Sequence, residues 1–243
     1  MKKKTMQKIK ELKEQINSKV QMSTSGSDSF YIYGDIVPDD LVWWYGGVSS
    51  EMIKNFIEER KDSEELTVHI NSCGGDVFEG VTIYNLLKNA SQKIKIVVDG
   101  CACSAASVIA MAGDTVVMNP GTLLMIHNAW TTASGNAEEL RKVADDLDTI
   151  MESNRQIYLN KANIEEEKLI ELLNDETWLT PEQAKEYGFC DIVSDEVIEP
   201  QEPETLEQKV SAILEKIIAE KSVVIEPTKT EPQESKGFFG FGK

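Results

Sequence analysis

The order of apolar runs along the chain predicts an α/β fold built on a largely parallel sheet covered by helices. Two observations carry this. Short β-type runs (Phe30-Tyr31-Ile32-Tyr33, Leu66 to Ser72, Lys93 to Val98, Thr115 to Met118, Leu123 to Ile126) alternate with segments whose apolar residues recur at helical spacing. The connections between successive runs are long enough for right-handed crossovers, which make neighbouring strands parallel. A third observation locates the chemistry. Glycines or a histidine stand at the ends of several strands (Gly34, Gly74-Gly75, Gly100, His127), where active sites of such sheets emerge.

Taken in order, residues 2–20 place Met6, Ile9, Leu12, Ile16 and Val20 at helical spacing among lysines, and residues 21–29 read as a flexible linker. The first helix is either a solvated one with an apolar face or a docking helix for a partner. The folded domain, 30–195, opens on the strand Phe30 to Tyr33. Ser49 to Arg60 is a helix with Met52, Ile53, Phe56 and Ile57 on one face. The strand Leu66 to Ser72 closes at Cys73-Gly74-Gly75, and a helix follows through Val77, Gly80, Val81, Tyr84 and Leu87. After the strand ending at Val98 comes Gly100 to Ser107, a sharp strand-to-helix turn, and Val108 to Ala112 continue as a buried helix. Asn136 with Glu139 three residues on marks a capping box. It opens a long helix with an inner face of Leu140, Val143, Ala144, Leu147, Ile150, Met151, Ile157 and Tyr158. Thr180-Pro181-Glu182-Gln183 starts another helix, stopped at Gly188, and Phe189 to Val193 is the last strand. Residues 196–243 form an acidic extension. It has one amphipathic helix from Thr205 to Lys221, read as a packing or coiled-coil helix, and a disordered tail tipped by Phe238, Phe239 and Phe241.

Composition narrows the function classes. The chain has 243 residues, 41% hydrophobic, and a net charge of −17. That charge repels polyanions and argues against nucleic-acid binding. No apolar run approaches the ~20 residues a membrane helix needs, and the lysine-rich start lacks the apolar core of a secretory signal. The four cysteines, Cys73, Cys101, Cys103 and Cys190, show no metal-binding or disulfide-framework spacing. Reduced thiols, no metal and no cofactor are expected.

The catalytic candidates come as a set. A serine at a strand–helix turn is ordinarily an N-cap, and His69, inside a strand, reads as a sheet residue. But Ser104 at a helix start, His127 at a strand end and the Gly74-Gly75 pair at another strand end are what acyl transfer needs. A serine hydroxyl requires a base near neutral pKa, and the base requires a carboxylate to orient it. The N–H groups of Gly75 and Ala105 are the candidate oxyanion donors. Ser107 is a rival nucleophile, but one turn on it points into the helix.

Three blocks, Ile70 to Asp76, Ala102 to Ser107 and Met125 to Asn128, resemble those of the Clp protease proteolytic subunit family. Thr177 to Gly188 is similar to that family's C-terminal block. The resemblance runs from about Phe30 to Val193. Within it, Asp76, His127-Asn128-Ala129-Trp130 and Glu176-Thr177-Trp178 are most similar to the Clp-like head maturation (prohead) proteases of tailed bacteriophages. The resemblance implies a Clp-protease/crotonase-like spiral of repeated ββα units with a protruding long helix. It makes Ser104 the nucleophile and His127 the general base. Glu176 becomes the third member by an ungapped count from Tyr187-Gly188, with Asp175 the alternative one residue away. Cys73 stands where the family usually has proline, and no family element for docking an unfoldase ring is evident.

The expected activity is therefore serine-type endopeptidase, ATP-independent by itself, maturing phage capsid or scaffold protein during prohead assembly. The expected partners are a protein or peptide substrate, copies of the chain in a ring-shaped homo-oligomer, and a capsid or scaffold protein, with no nucleic acid and no membrane. The expected location is the bacterial host cytoplasm, inside the assembling prohead. Alternatives are a housekeeping Clp-like or signal-peptide-peptidase-like degradative peptidase, a crotonase-like acyl-CoA binder, and a non-catalytic assembly protein. The acyl-CoA binder does not need Ser104 and His127 together.

Overall fold

The computed structural model describes residues 28–194. The expected N-terminal helix, most of its linker, the C-terminal helix and the aromatic tail lie outside the described residues. Strands β1 (Ser29–Tyr33), β2 (Glu65–Ser72), β3 (Lys93–Cys103), β4 (Thr115–Met118) and β7 (Ile192–Val193) lie side by side in that order. Strand β5 (Leu123–Ile126) pairs with β3, and β6 (Thr177–Leu179) pairs with β5. Every pairing is parallel except β5–β6. The helices are α1 (Asp39–Tyr45), α2 (Ser50–Glu59), α3 (Val77–Lys88), α4 (Ala105–Ala110), α5 (Ala137–Leu159), α6 (Glu166–Asn174) and α7 (Pro181–Glu186).

Strand alternation sorts the side chains. Ile32, Leu66, Val68, Ile70, Ile94, Ile96 and Val98 are buried, in one cluster with Ile53 and Phe56 of α2 and Ile83 and Leu87 of α3. The odd-numbered residues take the other face, where Tyr31 and Tyr33 are 41% and 47% exposed. Among the described residues, helices thus cover this part of the sheet on one face, not on both.

Strand β3 is the hub and runs five residues beyond the expected end at Val98. Its first half pairs with β2 and β4, while Cys101–Cys103 pair with β5. Between the pairs Ile70↔Val98 and Ser72↔Ala102 the register slips, so β2 advances two residues while β3 advances four. The Asn71 side chain fills the resulting bulge and accepts the Cys101 N–H at 3.3 Å. A Cβ at Gly100 would strike that same amide oxygen.

Both expected capping boxes form, Asn136 with Glu139 on α5 and Thr180 with Gln183 on α7. Three elements lie beyond the sequence reading. Helix α1 buries none of its residues, α6 buries Leu169, Leu172 and Leu173, and β6 has only three residues. Short or unburied elements leave little periodicity to detect. The last strand is shorter than expected, because Phe189 and Cys190 turn back to bond Ala184. The expected inner face of α5 is corrected too. Met151, Ile157 and Tyr158 are buried, but Leu140 is 43% exposed and the helix's first half has no buried residue.

Candidate active site

Ser104 follows the last residue of β3 and precedes the first of α4. Its N–H donates to Met125 O at 2.9 Å, extending the β3–β5 ladder by one bond. The chain then reverses within one residue, with Ser104 at φ 56° and ψ −126°. A non-glycine residue in such a conformation costs on the order of 1–3 kcal/mol. The gain is position, since the side chain is lifted off the strand end into the cleft. The ladder that fixes Ser104 also fixes its partner. His127 is the first residue after β5, and its Nε2 lies 2.7 Å from Ser104 Oγ. With the proton on Nδ1, Nε2 accepts the hydroxyl hydrogen, which is the polarity a general base requires.

The Gly74-Gly75 loop beside Ser104 is built by close approach. Ser72 Oγ accepts the Gly74 N–H at 3.0 Å, turning the chain after β2. A Cβ on Gly74, at φ 99°, would lie 2.7 Å from both Cys103 O and Ser104 Cβ. Only glycine lets the loop press this closely on the serine. Gly75 is tied to Ile36 by flanking bonds from Ile36 N–H to Gly74 O and from Asp76 N–H to Ile36 O. Among the described residues neither the Gly75 N–H nor the Ala105 N–H has an acceptor, so both remain available to a ligand oxygen. Asp76 caps α3 through bonds from the Phe78 and Glu79 N–H groups, both 2.9 Å, which anchors the far end of the loop.

Ser107, the rival, is fully buried. Its hydroxyl donates to Ser104 O at 2.6 Å and accepts from Tyr158 OH at 2.7 Å. Burial pushes the Tyr158 hydroxyl up to about 12, so it stays a donor. Ser107 therefore supports the turn under Ser104 and faces away from the cleft.

The acid positions are placed by β6. Its antiparallel register pairs Ile126 with Thr177, so the next positions outward are His127 and Glu176. Glu176 sits at φ 49°, and Ser104 and Glu176 are the two described non-glycine residues with positive φ. Asp175 caps α6, and the left-handed Glu176 follows it, its N–H reaching Leu173 O at 3.3 Å. Both carboxylates are exposed, and no hydrogen bond joins either to the His127 ring in this structure. Asn128 Nδ2 donates to Asn174 Oδ1 at 2.8 Å, a hydrogen bond that bridges the same two segments. The sequence reading missed this tie, because an asparagine pair has no spacing signature.

The cleft over Ser104 encloses about 300 Å³ and is lined by Phe78, Trp130, Ile150 and Met151 beside the serine and histidine. Trp130 is 75% and Phe78 65% exposed. The second histidine lies elsewhere. His69 Nδ1 is 2.8 Å from Asp99 Oδ2, and its ring stacks on Tyr31 at 4.7 Å, on the odd face of the sheet.

A family model described as Clp protease matches residues 25–197. The chain belongs to the Clp protease family, whose members are serine-type peptidases. A protein from Deinococcus radiodurans named ATP-dependent Clp protease proteolytic subunit is 26% identical over 188 residues, covering 74% of this chain and 92% of its own. A protein of the same name from Ligilactobacillus salivarius is 25% identical over 180 residues, covering 71% and 91%. Among solved structures, a mutant of ClpP1 from Listeria monocytogenes superposes with a TM-score of 0.59 at 22% identity, covering 70% of this chain and 92% of that one. That likeness establishes the fold as the Clp protease fold.

Proposed function

We propose that this Clp-family chain is a serine endopeptidase with Ser104 as nucleophile, His127 as general base and Glu176 as the acid that orients it. The 2.7 Å Ser104–His127 contact, beneath two N–H groups without acceptors, carries the reading. Ser104 Oγ attacks the scissile carbonyl while its proton passes to His127 Nε2, and the carbonyl oxygen becomes an anion held by Gly75 and Ala105. His127 then protonates the leaving amine, and water releases the acyl group by the same route. Each cycle consumes a peptide bond and water, so cleavage of short peptides proceeds without nucleotide. Glu176 is preferred over Asp175 because the β5–β6 register sets it opposite His127.

The family relation and the exposed first half of α5 support a ring-shaped homo-oligomer in which that half packs against a neighbouring copy. The finer assignment, maturation of a phage capsid or scaffold protein, rests on the subgroup resemblance of the His127-Asn128-Ala129-Trp130 and Glu176-Thr177-Trp178 blocks. The segments on both sides of the matched residues 25–197 are the proposed tethers to that assembly. Fluorophosphonate labelling with site mapping tests the nucleophile. Modification at Ser104, lost in Ser104→Ala, is expected; labelling retained at Ser107 would move the site. Co-expression with a major capsid protein separates maturation from general degradation, with defined cleavage products expected only in the first case.

A further inference from the structure

The cleft over Ser104 holds one buried polar group that the peptidase steps do not use. Leu147, Ile150, Met151, Asn154 and Tyr158 line it from α5, a stripe at helical spacing. The stripe is apolar except at its last two positions. Tyr158 gives its proton to Ser107, whose own proton goes to Ser104 O. Asn154 is only 5% exposed, and among the described residues its carboxamide makes no hydrogen bond. Neither its nitrogen nor its oxygen is sealed inside the protein, so both still touch the open space of the cleft. A buried carboxamide carries two N–H donors and one carbonyl acceptor, and buried polar groups are ordinarily paired.

The surroundings define what pairs with it. Phe78 and Trp130 stand at the mouth and are exposed, whereas Asn154 lies at depth between the buried Met151 and Tyr158. The wall there is fixed, because the Ala129 N–H donates to Met151 Sδ at 3.0 Å. Among the described residues no lysine or arginine lines the cleft, and its single acid, Asp76, is engaged in capping α3. A substrate carboxylate would find no cation there, and an ammonium only a carboxylate already bonded. A second carboxamide matches both halves of Asn154 at once, N–H to carbonyl in each direction.

We propose that Asn154 is a specificity-determining residue that selects a carboxamide side chain, glutamine ahead of asparagine, on the residue supplying the scissile carbonyl. The inference rests on the serine-peptidase reading for the direction of the substrate. With the carbonyl carbon at Ser104 Oγ and its oxygen toward the Gly75 and Ala105 N–H groups, the leaving amine lies at His127. The acyl residue's side chain then falls toward Val108 of α4 and the α5 stripe, where Asn154 waits. Glutamine lays its methylenes along Ile150 and Met151 and carries its amide to the depth of Asn154. Leucine or methionine would cover the Asn154 carboxamide without pairing it, the situation in which a hydrogen-bonding site discriminates most strongly.

Full-length protein is assayed on quenched fluorogenic peptides that differ only at the residue before the scissile bond: Gln, Asn, Glu, Lys, Leu or Met. Mass spectrometry of the products fixes the bond that is cut. Expected is a kcat/KM for Gln at least about tenfold above that for Leu or Met, with Glu and Lys lowest. Asn154→Leu should reverse the order of Gln and Leu. A second arm needs no turnover: Ser104→Ala is titrated by fluorescence anisotropy with labelled peptides ending in glutamine amide or leucine amide. The glutamine peptide should bind at least about tenfold more tightly. Leu or Met equal to or above Gln in the natural chain overturns the inference, whether or not Asn154→Leu folds. So does an unchanged order in Asn154→Leu, or a Gln preference that maps to the residue after the bond. Absence of cleavage and of fluorophosphonate label on Ser104, with the glutamine peptide still bound more tightly, supports the subsite and counts against the peptidase reading alone.

Discussion

The two histidines make opposite use of the same sheet. His69, on the odd face of β2, has what a catalytic histidine is supposed to need. Its Nδ1 is 2.8 Å from a carboxylate, Asp99, which also accepts Tyr33 OH at 2.8 Å. Burial and that carboxylate push the Tyr33 hydroxyl above its ordinary value, so it remains a donor. Yet among the described residues the ring's partners are Asp99 and the stacked Tyr31, with no serine hydroxyl bonded to it. His127 has the Ser104 hydroxyl at 2.7 Å, near two N–H groups without acceptors among the described residues, but no hydrogen bond to a carboxylate in this structure. A histidine–acid pair is therefore a structural motif by default. It becomes catalytic where the backbone also strains a hydroxyl into reach and leaves donors unpaired.

The sharpest way to break the comparison is to remove each side in turn. Ser104→Ala and His127→Ala should each lower peptide kcat/KM by roughly 10⁴-fold or more, the scale of triad deletions in serine peptidases. His69→Ala should leave it within about threefold. A large loss at His69 with little at His127 would invert the assignment.

The acid comes next. If Glu176 turns to meet His127 when substrate binds, Glu176→Gln should cost up to ~10⁴-fold through a misplaced tautomer, while Asp175→Asn should cost little. Equal, small effects in both variants would mean that His127 works without a carboxylate. The Asp99→Asn variant sharpens the contrast. It should lower stability by about 1–2 kcal/mol through the bonds it disturbs, measured by urea unfolding, with kcat/KM preserved.

The smallest effect concerns the buried support under Ser104. Tyr158→Phe removes one hydrogen bond to Ser107 and should cost about 1 kcal/mol, with activity largely kept. Its pH dependence has a definite sign. Tyr158 ionises near 10 when unfolded and is held up to about 12 when folded. Its contribution is fully present below about pH 10 and is lost as pH rises toward 12. Chemical denaturation in that range should show a flatter decline for Tyr158→Phe than for the natural chain.

Much of this was legible in one dimension. The apolar runs announced β1, β2, β4 and β5 within a residue or so, and the Asn136–Glu139 and Thr180–Gln183 boxes announced where α5 and α7 begin. Such signals are local, because capping and strand alternation need only residues a few positions apart. Ser104, His127 and Gly75 were legible as a set for the same reason: each stands at an element end with its own turn chemistry.

What the tertiary structure alone decided is non-local. The β2–β3 register slip, bridged by Asn71, brings Ser72 opposite Ala102 beside the turn at Ser104, a pairing that no spacing rule encodes. The long helix carries a continuous apolar stripe in sequence, yet among the described residues only its second half is buried. Periodicity reports that a face is apolar, but not which surface covers it. The sequence by itself determined the fold class, the ends of β1, β2, β4 and β5 and the starts of α5 and α7, and it offered Ser104 and His127 as candidates. The meeting of strand ends 23 residues apart at 2.7 Å, and the burial of Ser107 against Tyr158, required the packed sheet. Only there does one hydroxyl turn toward open donors while the other is buried against Tyr158.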